Sequence, residues 1–459
     1  MVRQRSDRTR NRCHIALDTK DRSLSGSYAW IPIALGISSG LMFFYDDVSA
    51  GGVRIRVFDV GVLLIAGFTL HILIRKGVRR DWGAFLTVYG LYTIYTVCNA
   101  AVMTGAKTAI KEAIQFGLFA VFFLAVAKFV ASPKATWRFA CWFLGSLWLL
   151  AFWNAAYHLS LGSISGWKNL GDMKVTHGVV LIVMAAIALA LPTRLKRMQR
   201  LLWWGLFLVA VLFLFLAGER KAWLAATPSL LLIVLQSDAG GLRWQAVNRI
   251  LIVGVGTALA VLAIFSLAPF VPYIDKQLTS IGDLIGALAG TQTSATSTLS
   301  NQGRLFSLNF AISQFMDHPV FGIGLDNYLR VVQRLPIEEH LQKAPHNELL
   351  RIGSEMGIVG LLTYGLMQVT IAVRLGMLSN AIQRLTPDER LRLRIAGGIF
   401  AFGFIVNIFL AGGGLNVFFY VLPAGLAYSV RMPRRAPARM RKDSARKSAQ
   451  HAPGLTAGA

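Results

Sequence analysis

Residues 345–376 read PHNELLRIGSEMGIVGLLTYGLMQVTIAVRLG, and this stretch changes character near Met356. Its first part is polar and contains one histidine, His346. Its second part, 356–376, is a mainly apolar run of about 20 residues, which is the length a helix needs to cross a bilayer core of roughly 30 Å. The stretch therefore predicts a polar segment at the membrane boundary that continues directly into a membrane-spanning helix.

Similar apolar runs recur along the whole chain, which has 459 residues, 55% of them hydrophobic and only 15% charged. This composition is too apolar for a soluble domain and is typical of a polytopic membrane protein. We therefore predict an all-α membrane protein with about twelve spanning helices. The predicted spans are 28–45, 57–74, 82–103, 113–131, 137–158, 175–192, 201–217, 221–236, 250–273, 356–376, 395–411 and 415–430.

The net charge of +25 comes from Lys and Arg in short clusters between apolar runs and in the two tails. Because this placement is a membrane topology signal, we expect membrane lipids and no nucleic acid as partners. Alternation of the spans puts both basic tails, 1–27 and 431–459, in the cytoplasm. The predicted organisation then has spans one to nine in 28–273, a long outer loop in 274–355 and spans ten to twelve in 356–430.

The long outer loop, 274–355, divides into two parts by composition. Residues 279–302 are rich in Gly, Ser and Thr, which predicts a mobile segment. Residues 303–355 show helical spacing of apolar side chains, so we expect short helices that lie over the outer membrane surface. The side chains that carry this spacing are Leu305, Leu308, Ile312 and Phe315.

His346 is the best single candidate for chemistry. An imidazole titrates near neutral pH and can accept a proton from an attacking hydroxyl. His346 follows a proline and precedes the tenth predicted span, so a short outer helix would present it at the membrane boundary. The alternative is a surface histidine, or one that satisfies a helix end.

Arginines are the next candidates, because a guanidinium offers a planar fork of donors that matches phosphate oxygens. Arg304 opens the polar part of the outer loop, and Arg220 lies in a turn between two predicted spans. Pairing of Arg220 with Glu219, or snorkelling to the interface, is the alternative for that residue. Arg351 lies about one helical turn beyond His346, and it faces the site or serves as a topology signal.

Metal and nucleotide sites are not expected. The outer segments contain no His-x-x-x-His and no carboxylate cluster, so neither a metal nor another cofactor is predicted. The three cysteines, Cys13, Cys98 and Cys141, have no metal-ligand spacing. Gly322-x-Gly324 could bring backbone close to a ligand, but it does not follow a strand in a βαβ unit, which argues against a dinucleotide site.

Taken together, these motifs resemble those of the O-antigen ligase and polymerase family. The similarity rests on His346-Asn347 followed by Gly357 and Gly360, with Gly303-Arg304 and His318-Pro319 before it. Gly322-x-Gly324 with Asn327-Tyr328 also resembles that family's long periplasmic loop. Arg220 is similar to a second Arg motif of the family, although Glu219 and Lys221 stand where many members have Ser and Gly.

The resemblance implies a metal-independent, GT-C-like membrane glycosyltransferase in the bacterial inner membrane, with its active site facing the periplasm. It implies undecaprenyl diphosphate-linked O-antigen as donor and lipid A–core oligosaccharide as acceptor. In this reading His346 is the general base, and Arg220 and Arg304 bind the diphosphate. The residues expected to support the site are Asn347, Arg351, Asp326 and Tyr328.

Two alternatives stay open at this point. An O-antigen polymerase or a protein O-oligosaccharyltransferase would use the same donor with another acceptor, although one dominant outer loop favours the ligase. A lipid or solute transporter would show charged or broken helices near the bilayer midplane, or related repeats, and the sequence offers little of either.

Overall fold

A computed structural model describes residues 28–43, 48–50, 53–55, 57–160, 173–190, 195–216, 220–236, 295–338, 341–345, 347–407 and 417–432. These residues are mostly helical, as predicted, and their strands form one short antiparallel hairpin that pairs β1 (Val48–Ala50) with β2 (Val53–Ile55). The α-helices are α1 (Ile31–Leu41), α2 (Val57–Lys76), α3 (Gly83–Met103), α4 (Ala106–Phe129), α5 (Pro133–Ser160), α6 (Met173–Ala190), α7 (Arg197–Leu216), α8 (Arg220–Leu235), α9 (Ala295–Asp317), α10 (Tyr328–Val332), α11 (Glu348–Asn380), α12 (Pro387–Ile405) and α13 (Phe418–Ser429).

Six of the described helical stretches are long and apolar enough to cross a membrane. They are Phe58–Arg75, Arg80–Met103, Ala106–Phe129, Pro133–Trp153, Arg197–Leu214 and Glu348–Asn380. Four shorter apolar helices overlap other predicted spans, and the predicted ninth span, 250–273, lies outside the described residues. The chain is therefore a multi-pass membrane protein by its helices, while the number twelve stays a prediction.

The outer loop differs from its prediction in two respects. Residues 295–302, expected to be part of a mobile segment, form the start of the 23-residue helix α9, whereas 279–294 lie outside the described residues. The helix of the tenth predicted span begins at Glu348 rather than at 356, because Asn347 caps it: the Asn347 side chain accepts a hydrogen bond from the Leu350 backbone N–H. The polar motif therefore enters the helix instead of preceding it.

Helix α11 is central to the part of the fold that matters for function. It packs against α3, α9 and α13, and α4 packs against α2, α3 and α13. Aromatic side chains fill the space between these helices, and their edge-to-face contacts add to the gain from burial. Examples of such buried rings are Phe58, Phe122 and Phe418, whose pairwise ring centroids lie 5.1–6.1 Å apart.

Arg392 of α12 stabilises the end of α4 that lies far from the outer loop. Its side chain is buried and donates to the carbonyl oxygens of Val130 and Ala131 at 2.9 and 2.6 Å and to the Thr136 hydroxyl at 2.9 Å. Val130 is the C-cap of α4 and Ala131 follows it, so a buried cation here lies at the negative end of the helix dipole.

Candidate active site

A sharp break in α11 at Gly357 organises the candidate site. Gly357 has φ 65° and ψ −163°, a backbone conformation that is essentially restricted to glycine. A Cβ atom at this position would lie 2.7 Å from the Phe321 nitrogen and closer still to the Val320 carbonyl. The break separates a lead segment, residues 348–356, from the remainder of the helix.

The loop of residues 318–327 completes the hydrogen bonds that this break opens. In a regular helix the Ile358 N–H would donate to the Ser354 carbonyl. Here the Ile358 N–H donates to Pro319 O at 2.8 Å, and Ser354 O accepts instead from the Ile323 N–H at 2.9 Å. The Gly324 N–H likewise donates to Glu355 O at 2.8 Å. Loop and helix are therefore interlocked through their main chains.

The loop also needs a glycine where it crosses the backbone of α11. Gly322 has φ 67°, and a Cβ there would lie 2.5 Å from the carbonyl oxygen of Glu355. From the sequence, Gly322 and Gly324 could bring backbone close to a ligand. The structure shows that the close neighbour of Gly322 is the backbone of α11, so this glycine serves the interlock.

Polar side chains on α3 and α4 hold the other side of the loop. The Asn99 amide donates to Phe321 O at 2.8 Å and accepts from the Leu325 N–H at 3.0 Å. The Thr104 hydroxyl donates to Leu325 O at 2.6 Å. Lys111 pairs with Asp326 at 3.1 Å, which gives the predicted supporting residue Asp326 a partner. These contacts fix the loop between α3, α4 and α11.

Arg351 lies between two buried carboxylates in the lead segment of α11. Its guanidinium contacts Glu348 at 2.6 Å and Glu355 at 2.8 Å, and these two glutamates are 1% and 3% exposed. Burial of such charges is costly unless they are paired and hydrogen-bonded. Arg351 is thus paired with two internal carboxylates at the start of α11.

Tyr328, at the start of α10, links this charged group to α9. Its backbone N–H donates to Glu355 Oε1 at 3.3 Å, and its hydroxyl donates to the Ser307 carbonyl of α9 at 2.8 Å. The Tyr328 side chain is buried, and its ring meets Phe310 edge to face. Burial raises the pKa of the Tyr328 phenol above its ordinary value, so the hydroxyl keeps the proton that it donates.

His346, Arg220 and Arg304 are the central residues of the predicted site, and the structure describes them to different extents. His346 lies outside the described residues, between the buried Pro345 and the capping residue Asn347. Arg220 is the first residue of α8, and only its backbone is described. Arg304 is exposed on α9 and forms no ion pair with any described residue. The convergence of His346, Arg220 and Arg304 therefore stays a prediction.

Sequence reasoning missed several residues that hold the site together, among them Asn99, Thr104, Glu355 and Ser307. Two of these carried a usable signal. Asn99 and Glu355 are polar residues in or beside predicted spans, and a polar side chain at such a position usually has a specific partner. Sequence spacing could not identify the partner of Asn99, because Asn99 and Phe321 are more than 200 residues apart in the chain.

Comparison with known proteins adds one finding to this geometry. Residues 205–365 match a protein-family model whose description is O-antigen ligase. A search of curated proteins gave no match. The matched stretch contains α8, α9, the interlocked loop and the lead segment of α11, which are the elements described above.

Proposed function

Residues 205–365 belong to the O-antigen ligase family, and on that premise we propose that this protein transfers a polysaccharide from undecaprenyl diphosphate to lipid A–core oligosaccharide. The site lies on the periplasmic side of the bacterial inner membrane, and both termini are cytoplasmic. The orientation follows from the distribution of Lys and Arg between the loops.

One observation supports the proposal above the others. The Ser307 hydroxyl of α9 reaches the carbonyl oxygen of Lys343 at 3.2 Å, as the longer branch of a donor that it shares with Gly303 O at 2.8 Å. This contact joins the helix that carries Arg304 to the segment that leads into His346. Two groups that are suited to phosphate binding and to proton transfer thus belong to segments in direct contact.

The proposed reaction requires charge stabilisation at the donor and a base at the acceptor. The bond between the anomeric carbon and the diphosphate oxygen breaks, and its electron pair leaves with the lipid diphosphate. Arg304 and Arg220 stabilise this growing negative charge, the role that a metal ion fills in other transferases. His346 accepts the proton of the acceptor hydroxyl, which attacks from the opposite face, so the configuration at the anomeric carbon is inverted.

The test is ligation by purified protein supplied with lipid-linked polysaccharide, with lipid A–core in one reaction and buffer in another. The proposed ligase joins the two substrates only in the first reaction. Chain lengthening in both reactions would indicate a polymerase, and transfer to a protein acceptor would indicate an oligosaccharyltransferase. Either result would overturn the ligase assignment.

Two substitutions test the residues in the same assay. His346→Ala should lower kcat by about 10² to 10⁴, the range for loss of a general base. Arg304→Lys keeps the charge but loses the planar fork, and it should lower kcat/KM by about tenfold or more. The matched controls are His71→Ala and Arg334→Lys, whose side chains are exposed and have no proposed role. Activity of His346→Ala at the wild-type rate would remove His346 as the base.

A further inference from the structure

Ser307 and Tyr328 form a buried junction between three segments of the outer loop. Both side chains are 1% exposed. The Tyr328 hydroxyl donates to Ser307 O at 2.8 Å. The Ser307 hydroxyl is shared between two carbonyl oxygens, Gly303 O of its own helix at 2.8 Å and Lys343 O at 3.2 Å. Helix α9, helix α10 and the segment of Lys343 therefore meet at this pair of hydroxyl groups.

The junction lies close in sequence to both proposed functional groups. Arg304 precedes Ser307 by three residues, which is about one turn of α9. Lys343 precedes His346 by three residues, which limits their separation to about 10 Å even in a fully extended chain. A shift of the junction would consequently move Arg304 relative to the segment of Lys343, which precedes His346 in the chain.

Tyr328 also makes a hydrogen bond through its backbone. Its backbone N–H donates to Glu355, and the other carboxylate oxygen of Glu355 accepts from Arg351 in the lead segment of α11. That segment begins directly after His346 and Asn347. Tyr328 thus connects α9 both to the segment before His346, through Ser307, and to the helix after it, through Glu355.

We propose that Tyr328 is a positioning residue, whose hydroxyl sets the place of Arg304 relative to His346. This inference rests on the proposed function, in which those two groups act on the diphosphate and on the acceptor hydroxyl. Tyr328 contacts neither substrate in this proposal. Its effect is on alignment, and a misplacement of about 1 Å costs up to ~100-fold in rate.

Tyr328→Phe removes only the hydroxyl and tests the proposal in the ligation assay. We expect kcat per folded molecule to fall about tenfold with the donor KM within about twofold of wild type, because Arg304 itself is retained. Tyr89→Phe is the matched control: Tyr89 is also buried, and its hydroxyl also donates to a backbone carbonyl, Phe116 O at 2.8 Å, but between α3 and α4. Tyr89→Phe should keep the wild-type kcat.

A double-mutant cycle with Arg304→Lys separates positioning from general stabilisation. If Tyr328 acts by placing Arg304, its loss should cost less than about threefold once Arg304 is already Lys, so the two effects do not multiply. Multiplying effects, an unchanged kcat in Tyr328→Phe, or equal losses in Tyr328→Phe and Tyr89→Phe would overturn the inference.

Ser307→Ala gives a second variant in case Tyr328→Phe does not fold. It removes the donor to Lys343 O but keeps the carbonyl that accepts from Tyr328, and alanine is the most favourable residue in a helix. Its kcat should also fall, and a wild-type kcat would count against the junction. Failure of the proposed function would show separately, as no joining of polysaccharide to lipid A–core by the wild-type protein.

Discussion

Gly357→Ala is the sharpest test of the interlock between α11 and the loop of residues 318–327. The backbone of Gly357 has φ 65° and ψ −163°, and an added methyl group would lie 2.7 Å from Phe321 N. The obstructing atoms are main-chain atoms of the loop, which cannot rotate away as the end of a side chain could. The loop must therefore withdraw, or α11 must change its path.

The size of the effect follows from these distances. Restoring an ordinary contact of about 3.5 Å requires a shift of at least ~0.8 Å. Hydrogen bonds of 2.8–2.9 Å at Ile323, Gly324 and Ile358 would then exceed about 3.6 Å, at which they no longer count as hydrogen bonds. Three such losses at about 1 kcal/mol each, together with ~1–3 kcal/mol of backbone strain, give roughly 4–6 kcal/mol.

Hydrogen–deuterium exchange of detergent-solubilised protein measures this local loss directly. The amides of residues 318–327 should open more than ~100-fold more often in Gly357→Ala than in the wild type, since 1.4 kcal/mol corresponds to a tenfold change in equilibrium. Gly365→Ala is the matched control on the same helix, because nothing lies within 4 Å of an added Cβ there. It should leave exchange in the loop unchanged.

The reasoning would be refuted by equal exchange in Gly357→Ala and Gly365→Ala. That result would mean that the loop does not lie across the break in α11 as the structure describes. A uniform rise in exchange over the whole protein, with no excess in residues 318–327, would also contradict a local interlock.

Two further predictions concern buried arginines at opposite ends of the fold. Arg351→Met leaves Glu348 and Glu355 buried without their cation and should destabilise the protein by about 3–5 kcal/mol; an unchanged thermal aggregation temperature in detergent would contradict the pairing. Arg392→Met removes the donor to the Ala131 carbonyl and one of the two donors to the Val130 carbonyl, which keeps its bond from the Thr136 hydroxyl, and it should cost ~1–3 kcal/mol by the same measurement. Its kcat per folded molecule should equal the wild-type value, because Arg392 lies at the far end of α4 from the loop, and a lower kcat would show coupling across the membrane.

Much of the architecture could be predicted from the sequence, because the length and apolar composition of a run are enough to predict a membrane-spanning helix. The runs at 57–74, 82–103 and 113–131 correspond to helices that are long and apolar enough to cross a membrane. The resemblance to the O-antigen ligase family also followed from local spacing, since His346-Asn347 with Gly357 and Gly360 is a pattern within one short stretch. The match of residues 205–365 to the O-antigen ligase family confirms that prediction.

The structure shows the contacts of several residues to which the sequence analysis had drawn attention. The spacing of Gly322 and Gly324 alone was a weak signal for a close approach of backbone to a ligand, and the structure shows that Gly322 lies against the backbone of α11. Arg351 was predicted to support the site or to serve as a topology signal, and the structure pairs its guanidinium with Glu348 and Glu355. Tyr328 was an unassigned supporting residue, and it links α9 to the lead segment of α11.

Composition and spacing determined that this chain forms apolar helices, where its longest polar segment lies in the chain and which family motifs that segment contains. The tertiary structure decided which backbone groups pair at the break in α11 and which partners hold Arg351, Asn99 and Tyr328. The physical reason is the range of the interactions. Burial of an apolar run depends on neighbours within one helix, whereas a hydrogen bond such as that from Asn99 to Phe321 forms only after distant segments have packed together.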